Sequence, residues 1–150
     1  MNDAAALTAI FAEQVPPPCS ALVENEIVDA DFDRGYVKLR FAEQRAFENH
    51  FGNIVSGFAV ELIDVLTSVA AYATTRQWYP TVEIHRRFVG PAKIGVRVGE
   101  AWVSRPARTS YFLKPTSGVP MVSMRYMRRR SQRVAAHEDV FMPVTRANDA

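Results

Sequence analysis

Residues 48–64 read ENHFGNIVSGFAVELID, and this stretch decides the fold. It passes from an Asn through two glycines into a pattern with the period of an α-helix, which continues to about residue 76. The apolar residues that share one side of this helix are Phe58, Ala59, Leu62, Leu66, Val69 and Ala73. The other, less apolar side holds Glu61, Asp64, Thr67, Ser68 and Ala71. The sequence therefore predicts a helix over residues 53–76 that carries a carboxylate, Asp64, in its interior.

The segments around this helix have the alternating pattern of strands. We predict strands at about 21–30, 35–42, 81–90, 94–105, 108–114 and 119–130, and a short helix at about 4–14 that ends before a triple proline. The strands that follow the long helix have short connections, which favour antiparallel neighbours. We therefore expect one α+β domain over residues 1–150, in which an antiparallel sheet wraps around one long central helix, with a loose tail at about 142–150.

Composition narrows the classes of function. A formal net charge of +2 is small for a dedicated nucleic-acid binder, although a sequence pI near 8.9 leaves room for an anionic ligand. The single cysteine, Cys19, excludes an intrachain disulfide and suits a reducing compartment. The N-terminal segment has neither the charge pattern of an export signal nor the length of a membrane span. We expect a cytoplasmic protein with no membrane partner.

The stretch from Asn49 to Asp64 resembles the PaaI-type acyl-CoA thioesterases, which have the hotdog fold. That group has an Asn, a Gly three residues on, a His-Gly-Gly turn, and an acid seven residues after the second Gly of the turn. Here the same spacing places Asn49, Gly52, the turn at 55–57, and Asp64. Downstream, residues 81–95 also match the group's pattern of a β-rich strand that ends in an aromatic and is followed by Pro-Ala.

The resemblance implies a thioesterase that hydrolyses a small aromatic or medium-chain acyl-CoA without a cofactor. It implies a homodimer or homotetramer with active sites at the subunit interface. Asp64 would be the general base or the nucleophile, and the backbone N–H groups of Ser56 and Gly57 would stabilise the oxyanion. Asn49 would place the carbonyl or the water, and Thr81 would hold the water from the opposite subunit.

Substrate contacts are expected on both sides of the turn. Next to the reacting group we expect Gly52, Val55, Phe58 and Glu61. The phosphates of coenzyme A need cations, and the cations that we assign to its nucleotide end are Arg86, Arg87, Lys93 and Arg97. His50, His85 and His137 have no paired ligand spacing, so we expect no metal site.

Several alternatives remain open at the level of sequence. Val55 stands where the thioesterase group has His, which favours a non-catalytic module that binds an acyl-CoA or a lipid. Asp64 could instead be a solvated acid, Asn49 a turn residue, and Thr81 an ordinary strand residue. Nucleic-acid binding through the C-terminal run of Arg125, Arg128, Arg129, Arg130 and Arg133, together with Tyr126, is a less favoured alternative.

Overall fold

The computed structural model describes residues 2–86, 88, 90–104, 110–115 and 122–126. Its α-helices are α1 (Ala4–Ala12) and α2 (Ser56–Thr75), and short 3₁₀ helices lie at Pro18–Leu22 and Arg45–Phe47. Its strands are β1 (Asn25–Asp31), β2 (Tyr36–Phe41), β3 (Thr81–Arg86), β4 (Arg97–Ser104), β5 (Ser110–Pro115) and β6 (Val122–Tyr126). The tail predicted to be loose, at 142–150, lies outside the described residues.

The strands form one antiparallel sheet in the order β1-β2-β4-β5-β6-β3, and α2 packs on one face of it. This confirms the predicted α+β architecture of an antiparallel sheet around one long helix. The first two strands after α2 are not neighbours, because β3 lies at the edge of the sheet and pairs with β6. Among the described residues, the sheet therefore ends, beyond β6, in a strand that pairs on one side only.

The predicted strand at 81–90 ends earlier in the structure, at Arg86. The chain then leaves the sheet, and Ala92 accepts a hydrogen bond from the backbone N–H of Ile54 at 2.7 Å. Lys93 also forms an isolated backbone bridge with Asn53. This connection therefore lies beside the segment that leads into α2.

The direction of β4 relative to α2 follows from two close approaches. A Cβ added to Gly99 would lie 2.5 Å from Leu66 Cδ2, so Gly99 faces the middle of the helix. A Cβ added to Gly35 would lie within 3.1 Å of both Val103 Cβ and Thr74 Oγ1, so the end of β4 lies near the end of α2. The strand and the helix thus run in the same direction, and the start of β4 lies beside the first half of α2.

The less apolar side predicted for α2 is largely buried. Thr67 is fully buried and Ala71 is 2% exposed, so the grouping of these two residues with the polar side did not predict their environment. The Thr67 hydroxyl donates to the Ile63 carbonyl at 2.9 Å, which satisfies its polarity within the helix. Asp64 is half-buried, so part of its surface remains in contact with solvent. Although α2 is long and apolar enough to span a membrane, it forms the core of this fold.

We expect Gly99→Ala to destabilise the protein, because the new Cβ would overlap the buried side chain of Leu66. Overpacking of this kind costs about 1–3 kcal/mol in the free energy of unfolding, which corresponds to a fall in Tm of roughly 3–10 °C for a chain of this size. Differential scanning fluorimetry measures this fall in Tm. Gly90→Ala is the matched control, since a Cβ at Gly90 meets nothing within 4 Å and its Tm should stay near that of the wild type.

Candidate active site

A tight turn at residues 49–53 precedes α2 and accounts for the spacing of Asn49 and Gly52. The backbone N–H of Gly52 donates to the Asn49 carbonyl at 3.0 Å, and Gly52 has a φ of 74°, which favours glycine. Asn49 Oδ1 accepts from the backbone N–H groups of Phe51 at 2.9 Å and Asn53 at 3.2 Å. Asn49 therefore stabilises this turn, as the alternative from sequence predicted. Its Nδ2 group, among the described residues, has no hydrogen-bond partner.

The first backbone N–H groups of α2 are open donors. Val55, at the N-cap, supplies no side-chain acceptor, and the first turn of the helix contains no acid. The N–H groups of Ser56 and Gly57 have no partner among the residues that the structure describes. A Cβ added to Gly57 would meet nothing within 4 Å. Neither packing within this chain nor a positive φ requires glycine there, and the space that a side chain at residue 57 would occupy is open.

Asp64 and Thr81 form the only direct contact among the predicted catalytic side chains in the described part of the chain. The Thr81 hydroxyl donates to Asp64 Oδ1 at 2.6 Å, and both residues are half-buried. Thr81 was expected to act from the opposite subunit, and that expectation stays a prediction. Within one chain the contact arises because β3 begins beside the middle of α2.

The separation between Asp64 and the open amides is set by the helix. Gly57 and Asp64 are seven residues apart, which is close to two turns, so they lie on nearly the same side of α2. At 1.5 Å per residue, they are about 10 Å apart along the axis. This is a long span for one thioester carbonyl that contacts both groups of the same chain.

The predicted cations fall into two environments. Arg86 is exposed; its Nη1 donates to the Ser56 carbonyl at 3.2 Å, and its guanidinium lies 4.1 Å from the centroid of the Phe88 ring. Lys93 is also exposed, near the same end of α2. Arg97 is half-buried, and its register with β2 places it on the helix-facing side of β4. Arg87 lies outside the described residues.

The remaining predicted contacts surround the start of α2. Phe58 is half-buried and Glu61 is half-buried, whereas Gly52 and Val55 are exposed. Phe58 stacks on Phe47, with ring centroids 3.4 Å apart and planes inclined by 7°. Sequence reasoning missed Phe47, which precedes the Asn49 turn and belongs to no periodic pattern. Its carbonyl also accepts the N–H of Val55 at 2.9 Å, so Phe47 positions the start of the helix.

Most of the C-terminal arginine run lies outside the described residues. Arg125 and Tyr126 belong to β6, whereas Arg128, Arg129, Arg130 and Arg133 are not among the residues that the structure describes. The nucleic-acid alternative therefore gains no support from the described part of the chain.

No family model matches the sequence, and no curated protein matches it. Among solved structures, a phenylacetic acid degradation-related protein from Ralstonia eutropha JMP134 is 19% identical with a TM-score of 0.70, covering 81% of this chain and 98% of that one. The Escherichia coli PaaI protein is 14% identical with a TM-score of 0.65, covering 81% and 88%. Mouse thioesterase superfamily member 2 is 18% identical with a TM-score of 0.55, covering 82% and 90%.

These likenesses extend over most of both chains, and they agree with the order of elements described above. Sequence identities below one fifth show a shared fold rather than a shared activity. The long helix, the antiparallel sheet around it and the structural neighbours together show that this chain has the hotdog fold of the PaaI-type thioesterases.

Proposed function

We propose that this protein is an acyl-CoA thioesterase that hydrolyses a small aromatic or medium-chain acyl-CoA. The observation that carries the proposal is the Asp64 carboxylate, half-buried and held by the Thr81 hydroxyl at 2.6 Å on a helix whose first amides are open donors. The names of the neighbours support it, since they include thioesterases and proteins of phenylacetic acid degradation.

Hydrolysis needs an activated nucleophile and a stabilised oxyanion. In the proposed reaction, Asp64 takes a proton from water as the water oxygen bonds to the thioester carbon, or its carboxylate bonds to that carbon directly. The carbonyl oxygen becomes an oxyanion, which accepts hydrogen bonds from the N–H groups of Ser56 and Gly57. The C–S bond then breaks, and coenzyme A leaves as a thiol after protonation. In the direct route, water afterwards hydrolyses the Asp64 anhydride.

The proposed site is shared between two subunits. Gly57 and Asp64 of one chain are about 10 Å apart along α2, and this separation supports a site in which the amides of one chain act with Asp64 of another. If two α2 helices pack antiparallel about a two-fold axis, Gly57 of each chain lies near Asp64 of the other chain. The dimer then has two equal sites. The edge strand β3 supports association, because one of its sides has no partner strand in the described part of the chain and it exposes Val82 (52% exposed). We therefore propose a homodimer or a homotetramer.

Asn49 contributes a donor to this site. Its Oδ1 is held by two backbone amides, which fixes the orientation of the side chain and leaves Nδ2 as a preorganised donor. A donor next to the start of α2 suits the thioester carbonyl or the attacking water.

The nucleotide part of coenzyme A is assigned to the exposed cations near the start of α2. Arg86 and Lys93 lie there, and Arg87 belongs to the same proposed set. Phosphate groups keep much of their hydration at such an exposed surface and pair with guanidinium and ammonium groups. The reaction uses no cofactor besides the thioester substrate, and the single cysteine, Cys19, suits the cytoplasm.

The test is release of free thiol from a panel of aromatic and medium-chain acyl-CoAs, which includes phenylacetyl-CoA, benzoyl-CoA and hexanoyl-CoA. We expect turnover of at least one substrate with a kcat of roughly 1 s⁻¹ or more. Val55 stands at the N-cap of α2, where the group that the sequence resembles has His, and this favours a non-catalytic acyl-CoA-binding module as the second candidate. No turnover on the panel, together with a higher Tm in acyl-CoA than in free coenzyme A, would establish that candidate instead.

A further inference from the structure

Arg86 is the last residue of β3, and its side chain contacts the first residue of α2. Its Nη1 donates a hydrogen bond to the Ser56 carbonyl oxygen at 3.2 Å. A carbonyl oxygen has two lone pairs, so it can accept this bond together with the helical bond from an N–H one turn later. The edge strand of the sheet therefore places a cation on the first peptide group of the helix.

The peptide group that Arg86 contacts is the one that holds a proposed oxyanion donor. The Ser56 carbonyl and the Gly57 N–H belong to a single planar unit, whose C–N bond has partial double-bond character. A donor on the carbonyl oxygen draws electron density away from the nitrogen and strengthens the N–H as a donor, by about 10–30% for one bond. Arg86 acts from the carbonyl side of this unit, and an acceptor for the Gly57 amide approaches from the other side.

A second contact holds the guanidinium in place. The Cζ atom of Arg86 lies 4.1 Å from the centroid of the Phe88 ring, within the range of a cation–π contact. Exposed arginine side chains otherwise keep most of their rotamer freedom. The ring and the Ser56 carbonyl together restrict this one, so the guanidinium is oriented toward the start of α2.

The charge of Arg86 is unfavourable for the helix itself. A cation near a helix N-terminus opposes the helix dipole, and an acid is the stabilising residue there. The first turn of α2 contains no acid, and among the described residues Arg86 forms no ion pair. Positive potential at the start of α2 is therefore uncompensated within the described part of the chain. It favours a group that becomes negative, as the thioester oxygen does during hydrolysis.

We propose that Arg86 is a positioning residue of the oxyanion site, which strengthens the Gly57 amide as a donor by binding the Ser56 carbonyl. This inference rests on the proposed thioesterase function and deepens it. The assignment of Arg86 to the phosphates of coenzyme A concerns binding of the nucleotide, whereas this role concerns the transition state. The two roles predict different kinetics, because a phosphate contact acts only on a substrate that contains phosphate.

The experiment measures thiol release from two thioesters of the best acyl group of the panel. One is the coenzyme A thioester, and the other is the N-acetylcysteamine thioester, which has no phosphate and no nucleotide. We expect Arg86→Met to lower kcat roughly 5- to 20-fold on both, less than the loss of about 10²- to 10³-fold that follows removal of an oxyanion donor. KM for the N-acetylcysteamine thioester should stay near that of the wild type, because the strengthened bond acts mainly in the transition state.

Four further variants test the assignment. Lys93→Met should lower kcat/KM on the coenzyme A thioester alone, which is the pattern of a phosphate contact. Arg40→Met makes the same substitution at an exposed arginine that pairs with Glu26 on the neighbouring strand at 2.9 Å, and it should keep wild-type rates on both substrates. Phe88→Leu should lower kcat by about 2- to 5-fold on both, because the guanidinium loses its ring contact. Arg86→Lys should recover part of kcat, since an ammonium also donates to a carbonyl.

The outcomes separate this inference from the proposed function. If Arg86→Met loses rate only on the coenzyme A thioester, Arg86 is a phosphate contact, and the inference is overturned while the thioesterase stands. If Arg86→Met does not fold, kcat of Phe88→Leu on the N-acetylcysteamine thioester decides, and an unchanged value overturns the inference. If the wild type hydrolyses neither thioester, the thioesterase proposal fails. The Gly57 amide signal in a ¹H–¹⁵N NMR spectrum then tests the contact, which requires that signal to shift in Arg86→Met and not in Arg40→Met.

Discussion

Asp64→Asn is expected to lower kcat by about 10²- to 10⁴-fold, the loss that follows removal of a positioned general base. Asparagine keeps the size of the side chain and its capacity to accept from Thr81, so the helix and the contact with β3 should persist. What is lost is the charge and basicity that remove a proton from water or attack the thioester carbon. The measurement is steady-state thiol release with the best substrate of the panel, with the Tm of both proteins recorded to show that folding is retained.

Glu61→Gln is the matched control for this prediction. Glu61 is a half-buried acid on the same helix, one turn before Asp64, so the same change in charge is made nearby. A fall below 10-fold is expected there, because no contact of Glu61 with Thr81 is present among the described residues. Thr81→Val should lower kcat by an intermediate amount, about 10-fold, since it removes one hydrogen bond that orients the acid. Equal losses in Asp64→Asn and Glu61→Gln would show a general electrostatic effect and would contradict a specific role for Asp64.

The architecture could be predicted from the sequence because it follows from period and spacing. The helix at 53–76 agrees with α2 within three residues at each end, and alternation along residues 35–42 agrees with β2. The turn at Asn49 and Gly52 is also local, because its hydrogen bonds join residues within four positions of one another. Such features depend on neighbouring residues, which is the information that periodicity contains.

The contacts that build the site depend on the order of strands in the sheet. Thr81 reaches Asp64 only because β3 crosses to the sheet edge beyond β6, and no pattern along the chain predicts that placement. Thr67 was assigned to the less apolar side of the helix by its position in the helical period, but a hydrogen bond from its hydroxyl to the helix backbone allows it to be buried. Arg97 was grouped with nearby cations, and only the register with β2 shows that it shares the core face with Gly99.

Subunit complementation should restore the activity of two inactive variants and thereby show that the site is shared. Asp64→Asn removes the acid, and Asn49→Ala removes the Nδ2 donor together with the acceptor that holds the turn before α2. Each homodimer is expected to be at least 10-fold less active than the wild type. In a heterodimer of the two variants, one site combines the intact Asn49 of one chain with the intact Asp64 of the other. The second site carries both defects.

The expected activity of this heterodimer is about half that of the wild-type dimer, since one of two equal sites is intact. Co-expression with two different affinity tags and sequential purification isolates it, and thiol release measures its activity. The control is a heterodimer of the wild type with the double variant Asn49→Ala, Asp64→Asn. Each of its two shared sites carries one defect, so this heterodimer is expected to have low activity. If that control is half active and the complementing pair is inactive, each chain holds a complete site, and the geometric argument from the separation of Gly57 and Asp64 along α2 is wrong.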